Sequence, residues 1–188
     1  FILVLIMTVY TANAVLHFWF HVATPTQWFT KDAHFDQIIR TRFLATTQAA
    51  AQGECAHWRY SLYGRLAEII VLDQFSRNIW RDTPQAFSQD PMALALAQEA
   101  IRQPAFATLN IDQKKFMLMP FMHSESRAIH AQAEPLFRMH TDENTLHYEQ
   151  LHKKIIDRFG RYPHRNAILS RPSTPEEKQF LLEPNSSF

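Results

Sequence analysis

Asp73, Arg77 and Arg81 stand at four-residue intervals in LDQFSRNIWRDTPQAF, residues 72–87, just after an apolar run. On a helical wheel they continue the face defined by Leu62, Leu66, Ile69 and Ile70, with Gln74 and Asn78 beside the row. Residues four apart meet on a helix surface, so Asp73 and Arg77 are expected to pair. Burial of such a pair is costly unless each partner is hydrogen-bonded. The pattern returns twice. In FMLMPFMHSESRAIH, His123 follows the face of Phe116, Met119 and Pro120, and a continuing helix would add Arg127 and His130. In HYEQLHKKIIDRFGRYPHRN, His152 lies among Tyr148, Ile155, Ile156 and Phe159, and Arg161, His164, Arg165 and Asn166 follow the helix. Three helices that carry polar side chains into apolar faces imply one shared polar cluster.

Two chemistries fit such a cluster. Guanidiniums hold carboxylates and phosphates in forked geometry, so Arg77, Arg81, Arg161 and Arg165 would hold an anion that Asn78 and Asn166 orient. His123 or His152 would serve as acid or base, with Glu125 or Asp73 as the orienting partner. A structural alternative stands beside both: the network joins helices, and Glu125 and Asp157 neutralise the arginines. Other chemistries fail on spacing. There is no H-E-x-x-H, and His140, His147 and His152 are not one turn apart, so no metal site is expected. No G-x-S-x-G, phosphate loop or dinucleotide glycine fingerprint occurs, and no cofactor is expected. Ser124 between His123 and Glu125 is no triad, because helical neighbours diverge by about 100°.

The elements that must position these residues read as helices separated by short loops. Asn13 is placed to cap a first helix, which ATPTQW breaks; a second runs from about Asp32 to Ala51 and a third from about Tyr60 to Trp80. Asp90 followed by Pro91 reads as the cap of a fourth, to about Gln103. Further helices are expected over 112–123, 124–139 and 143–159, the last closed by Gly160. Thr174, Pro175 and Glu177 form a capping-box start for an eighth. The expected fold is all-α, with about eight helices paired as antiparallel hairpins in a tetratricopeptide-like array.

Composition agrees with a packed helical domain. The 188 residues are 46% hydrophobic and 13% aromatic, with three glycines, too few for a chain of many tight β-turns. A net charge of +1 without a basic run argues against a nucleic-acid partner. The single cysteine, Cys55, can form no internal disulfide, which points to a reducing, cytoplasmic setting. FILVLIMTVYTANAVLHFWF is apolar but interrupted by Tyr10, Thr11 and Asn13, so it is read as an extension, not as a membrane anchor. Residues 1–13 are assigned to that extension, with 1–6 upstream of an internal start at Met7, and 14–188 to one domain.

LDQFSRNIWRDTPQAFSQDPMAL, FMLMPFMHSES and IIDRFGRYPHRNAILSRPSTPEEKQFL closely resemble the bacterial domain-of-unknown-function family 924, from about Val15 to Leu182. The resemblance implies an all-helical protein of the tetratricopeptide-like superfamily. Its motif falls on Asp73, Gln74, Arg77, Asn78, Arg81, His123, Ser124 and Glu125, then on His152, Phe159, Gly160, Arg161, Pro163, His164, Arg165 and Asn166. It implies no activity. Two readings therefore stay open. The first is a binding module for an anionic small molecule or an acidic peptide; the second is a hydrolase or transferase on a phosphorylated or carboxylated substrate. An open cleft that reaches a histidine separates them.

Overall fold

The computed structural model describes residues 8–188, so the readings made for residues 1–7 lie outside the described residues. Helices account for every regular element there, with no strand among the described residues. They are α1 (Ala12–His17), α2 (Pro25–Phe29), α3 (Ala33–Ala51), α4 (Leu62–Ile69), α5 (Ser76–Ile79), α6 (Asp90–Ala100), α7 (Ile111–Met122), α8 (Arg127–His140), α9 (Glu143–Phe159) and α10 (Pro175–Phe180). A π-helical segment, Ile70–Phe75, makes α4 and α5 one continuous rod, and a second, Phe18–Val22, extends α1. The rod counted once, the described residues hold nine helical bodies where about eight are expected. The extra one is α2, formed inside ATPTQW by a capping box between Thr24 and Gln27.

Most boundaries follow from caps written in the sequence. Asp32 accepts from the amides of His34 and Phe35, Asp142 from Thr145, and Thr174 and Glu177 close the expected capping box. Gly160 ends α9 in the left-handed conformation, φ 72°. Two expected caps are different. Thr11, not Asn13, caps α1 by accepting from Ala14 N, because the helix begins two residues earlier than expected. Tyr10 just before it donates its amide to Thr46 Oγ1 at 2.8 Å and packs its ring on Phe43, so Tyr10 is already in contact with α3. Asp90 lies inside the first turn of α6 and makes no cap, which leaves its carboxylate for other partners.

The rod from α4 to α5 is the centre of the core. Every residue from Leu66 to Ser76 is buried, Glu68, Asp73, Gln74 and Ser76 included. Helix α1 packs on α4, α3 on the π segment and α5, and α6 and α7 on α4. From α6 to α9 each helix packs on the next. Trp19, Phe75 and Phe116 meet edge to face in the middle, and Phe18 and Phe43 close against Phe75. A small second core of Ile155, Ile156, Tyr162 and Phe180 joins α9 to the C-terminal segment. No helix among the described residues is long and apolar enough to cross a membrane.

Candidate functional site

A rod buried on all sides cannot put a carboxylate in its middle without dedicated partners. The π segment widens the rod where Asp73 sits, so a wheel drawn at a constant 100° per residue misplaces everything after Ile70. Asp73 and Arg77 still meet as the spacing predicts: Arg77 Nη1 lies 2.8 Å from the Asp73 carbonyl oxygen and 3.3 Å from Oδ1. Gln74 donates to Asp73 Oδ2 at 2.6 Å. His123 brings Nδ1 to 2.7 Å from Asp73 Oδ1 across 50 residues of sequence. Burial opposes charge on Asp73, but His123, Arg77 and Gln74 outweigh it and hold the carboxyl well below the usual range.

Asp90 completes the cluster from the start of α6. Arg77 grips it with both nitrogens, at 2.8 and 3.0 Å, and Arg165 Nη1 reaches its Oδ2 at 3.2 Å. Arg165 Nη2 donates to the His123 carbonyl at 3.1 Å, and its guanidinium lies over Phe87 at 4.4 Å and Tyr162 at 4.8 Å. Two Asp–Arg pairs therefore alternate in one row with no net charge, and His123 sits at its end. Burial, reinforced by the Arg77 guanidinium, keeps the His123 imidazole below its ordinary pKa despite Asp73. With Nδ1–H donated to a carboxylate, the neutral ring presents the bare lone pair of Nε2, which has no hydrogen-bond partner among the described residues.

The loop that carries His123 is fixed from behind. Helix α7 ends at Met122, and α8 starts at Arg127 under a Ser126 cap, so the continuous helix expected through Arg127 and His130 does not form. Fully buried His130 bonds the Ser124 carbonyl through Nε2 and the Glu149 carboxylate through Nδ1, each at 2.8 Å. The Tyr162 hydroxyl donates to the Met122 carbonyl. Glu125 accepts from the Tyr162 amide and takes Arg171 in a two-point grip at 2.7 and 2.9 Å. It does not orient His123; Asp73 does.

The other expected site residues go elsewhere. Arg81 and Asn78 both bind Asp36 of α3. Arg161 grips Glu177 at 2.7 and 2.8 Å, and Asn166 donates to Ser173 and Glu177 while accepting from Arg171. His164 packs beside Tyr162 with Nδ1 buried and unpaired. His152 bonds the Tyr148 carbonyl in its own helix and stacks on Phe188 at 3.9 Å, the pattern of a satisfied core histidine. The single cluster expected from three helices is thus one row and two separate clamps. Neither expected counter-charge hydrogen-bonds these arginines: Glu125 takes Arg171 and acts on Arg161 and Arg165 only through its charge, and Asp157 takes Lys153. Asp36, Asp90 and Glu177 do instead, so a surplus of guanidiniums over Asp73 no longer argues for an external anion. Asp90 and Glu177 escaped notice because each reads locally as a helix-start residue. Cys55 is buried, and burial lifts its thiol to about 11, which makes it inert.

A cleft of about 460 Å³ opens beside the row. Its apolar wall includes Phe87, Leu94, Ile129 and Leu169, and its polar wall Asp90, His123, Ser124, Glu125 and Arg165. That volume and mixed lining suit a small organic molecule better than a bare ion. The walls come from three distant stretches, 84–94, 120–129 and 165–169, so the cleft exists only in the folded chain.

A family model described as bacterial protein of unknown function (DUF924) matches residues 15–185. A solved structure of a protein of unknown function from Agrobacterium tumefaciens is similar at a TM-score of 0.86. It shares 39% sequence identity over 91% of this chain and 96% of that one. A search of curated proteins gives no match.

Proposed function

We propose that this chain, which belongs to the bacterial DUF924 family, is an acid–base enzyme acting on a small organic molecule in the Phe87–His123–Arg165 cleft. One observation carries the reading: His123, a residue of the cleft wall, is anchored through Nδ1 to buried Asp73 at 2.7 Å, and its Nε2 is unpaired. A carboxylate that fixes the tautomer and orientation of a neutral histidine makes its second nitrogen a proton acceptor aimed at a ligand. Hydrolysis and group transfer are the reaction types this base serves, by taking a proton from water or from an acceptor hydroxyl. His152 and Glu125 have no part in it. Packed as a tetratricopeptide-like run of hairpins, α6 to α9 would hold the cleft walls rigid.

The runner-up reading is a binding module in which the same cleft captures an anionic small molecule or an acidic peptide terminus without chemistry. It draws on Arg165, whose Nε has no partner. The two separate on His123. Turnover of p-nitrophenyl acetate and p-nitrophenyl phosphate, as reporters of acyl and phosphoryl transfer, is measured from pH 4.5 to 9. In the enzyme reading it rises with pH to a plateau reached below the ordinary histidine midpoint, because His123 is held low. His123→Gln lowers it on the order of a hundredfold or more. Diethyl pyrocarbonate followed by mass spectrometry modifies His123 well before His152. Unchanged turnover in His123→Gln, or a His123 that the reagent cannot reach, defeats the enzyme.

A further inference from the structure

We infer that the molecule taken by the cleft is an organic acid, whose carboxylate or phosphate oxygens bind Arg165 while its apolar body lies on Phe87 and Leu94. The inference rests on the cleft being a ligand site, as proposed above, and adds the chemical class of what enters it.

Arg165 is the observation behind it. Its side chain is 7% exposed, yet hydrogen bonds account for only two of its five N–H groups, the ones to Asp90 and to the His123 carbonyl. Its Nε is buried and has no partner. Buried donors are almost always satisfied, so an unpaired one on a guanidinium that lines a cleft marks a missing acceptor. The row is neutral, and what Arg165 lacks is acceptors. Asp90 already gives both oxygens to Arg77 at 2.8 and 3.0 Å, and Arg165 receives a single longer contact at 3.2 Å. Glu125, the other carboxylate of the cleft wall, is committed to Arg171. Burial and the neighbouring Arg77 push the Arg165 guanidinium below its ordinary pKa against the pull of Asp90 and Glu125. Phe87 and Tyr162 clamp its faces, so the fork is already oriented before a ligand arrives.

The class follows from what the two open groups require. Arg165 wants an acceptor, preferably anionic and forked. His123 Nε2 wants a proton donor. Leu94, Ile129 and Leu169 want apolar surface. An organic acid whose reactive group lies between its acidic head and its body meets all three requirements.

The test uses three probes with one body and different heads: phenylacetate, phenyl phosphate and neutral phenylacetamide. They are titrated into the whole chain by calorimetry, and the methyl resonances of Leu94, Ile129 and Leu169 report where they bind. The expected result is an acid bound on the order of tenfold or more tightly than the amide, the worth of a charged hydrogen bond. The preferred acid tells carboxylate from phosphate. Arg165→Lys removes the preference; if that variant does not fold, the acid-to-amide ratio in the unaltered chain decides. Equal binding of acid and amide, no binding by any probe, or binding away from those methyls overturns the inference. His123→Gln keeps the acid preference and loses turnover. Acid binding without any turnover in the unaltered chain would sink the enzyme and leave this inference standing. Turnover without acid preference would do the reverse.

Discussion

Asp73 is fully buried on the central rod, and its charge is tolerable only because three neighbours are committed to it. Arg77 is the hinge of that arrangement, since it alone touches both Asp73 and Asp90. Replacing it with Met would leave two carboxylates underserved in the interior, at a cost of about 3–5 kcal/mol. Arg81, 29% exposed at the rod's end, serves only Asp36, so Arg81→Met should cost far less. Urea denaturation of both variants checks this, and an Arg77→Met cost no larger than that of Arg81→Met would show the row to be dispensable. At this scale the sequence was half legible. The pairing of Asp73 with Arg77 is a four-residue relation that a wheel can display. The carboxylates that answer Arg77, Arg81, Arg161 and Arg165 come from 13 to 75 residues away, beyond any local pattern.

Elements explain why the row is where it is. Helix starts and stops were readable because caps are local chemistry, as Asp32, Asp142, Gly160 and Thr174 show. The π segment was not, since in a run as apolar as Ile70–Leu72 nothing in the spacing distinguishes an extra residue in the turn. The rod needs a second local exception at Gly64, where an added Cβ would collide with the Trp58 carbonyl. Two effects compete in Gly64→Ala: alanine favours helix by up to about 1 kcal/mol, and overpacking against rigid backbone costs typically about 1–3 kcal/mol. Backbone cannot swing aside as a flexible side chain can, so the clash should win. The variant is predicted to unfold at a lower temperature by circular dichroism. An increase would mean that the turn from Ala56 to Tyr60 yields freely and does not fix the start of the rod.

On the scale of the molecule, the C-terminal segment closes the cleft and buries histidines along with it. His152 and His164 flank Tyr162, and burial drives their pKa values down to about 3 and about 4. Burial lowers His123 as well. The unfolded chain protonates these rings near pH 6.5, while the folded chain refuses the protons until far lower. Unfolding therefore gains protons as pH falls, and stability drops from about pH 6.5 downward by up to about 1.4 kcal/mol per pH unit for each such histidine. Asp73, Glu125 and Glu177, all held low, add a loss of the same sign only once pH falls below the ordinary carboxylate range. Glu149 is raised by burial, so the folded chain takes that proton first and offsets part of the histidine loss above the ordinary carboxylate range. Between pH 6.5 and 5 the histidines are thus the main contributors. Urea midpoints measured from pH 8 to 5 should be level above 7 and fall steeply below 6.5. His152→Gln should flatten that fall by up to one proton's worth, whatever it costs in absolute stability. A midpoint unchanged down to pH 5 would mean that the rings take up protons in place, through an opening of the C-terminal segment that would also uncover the cleft.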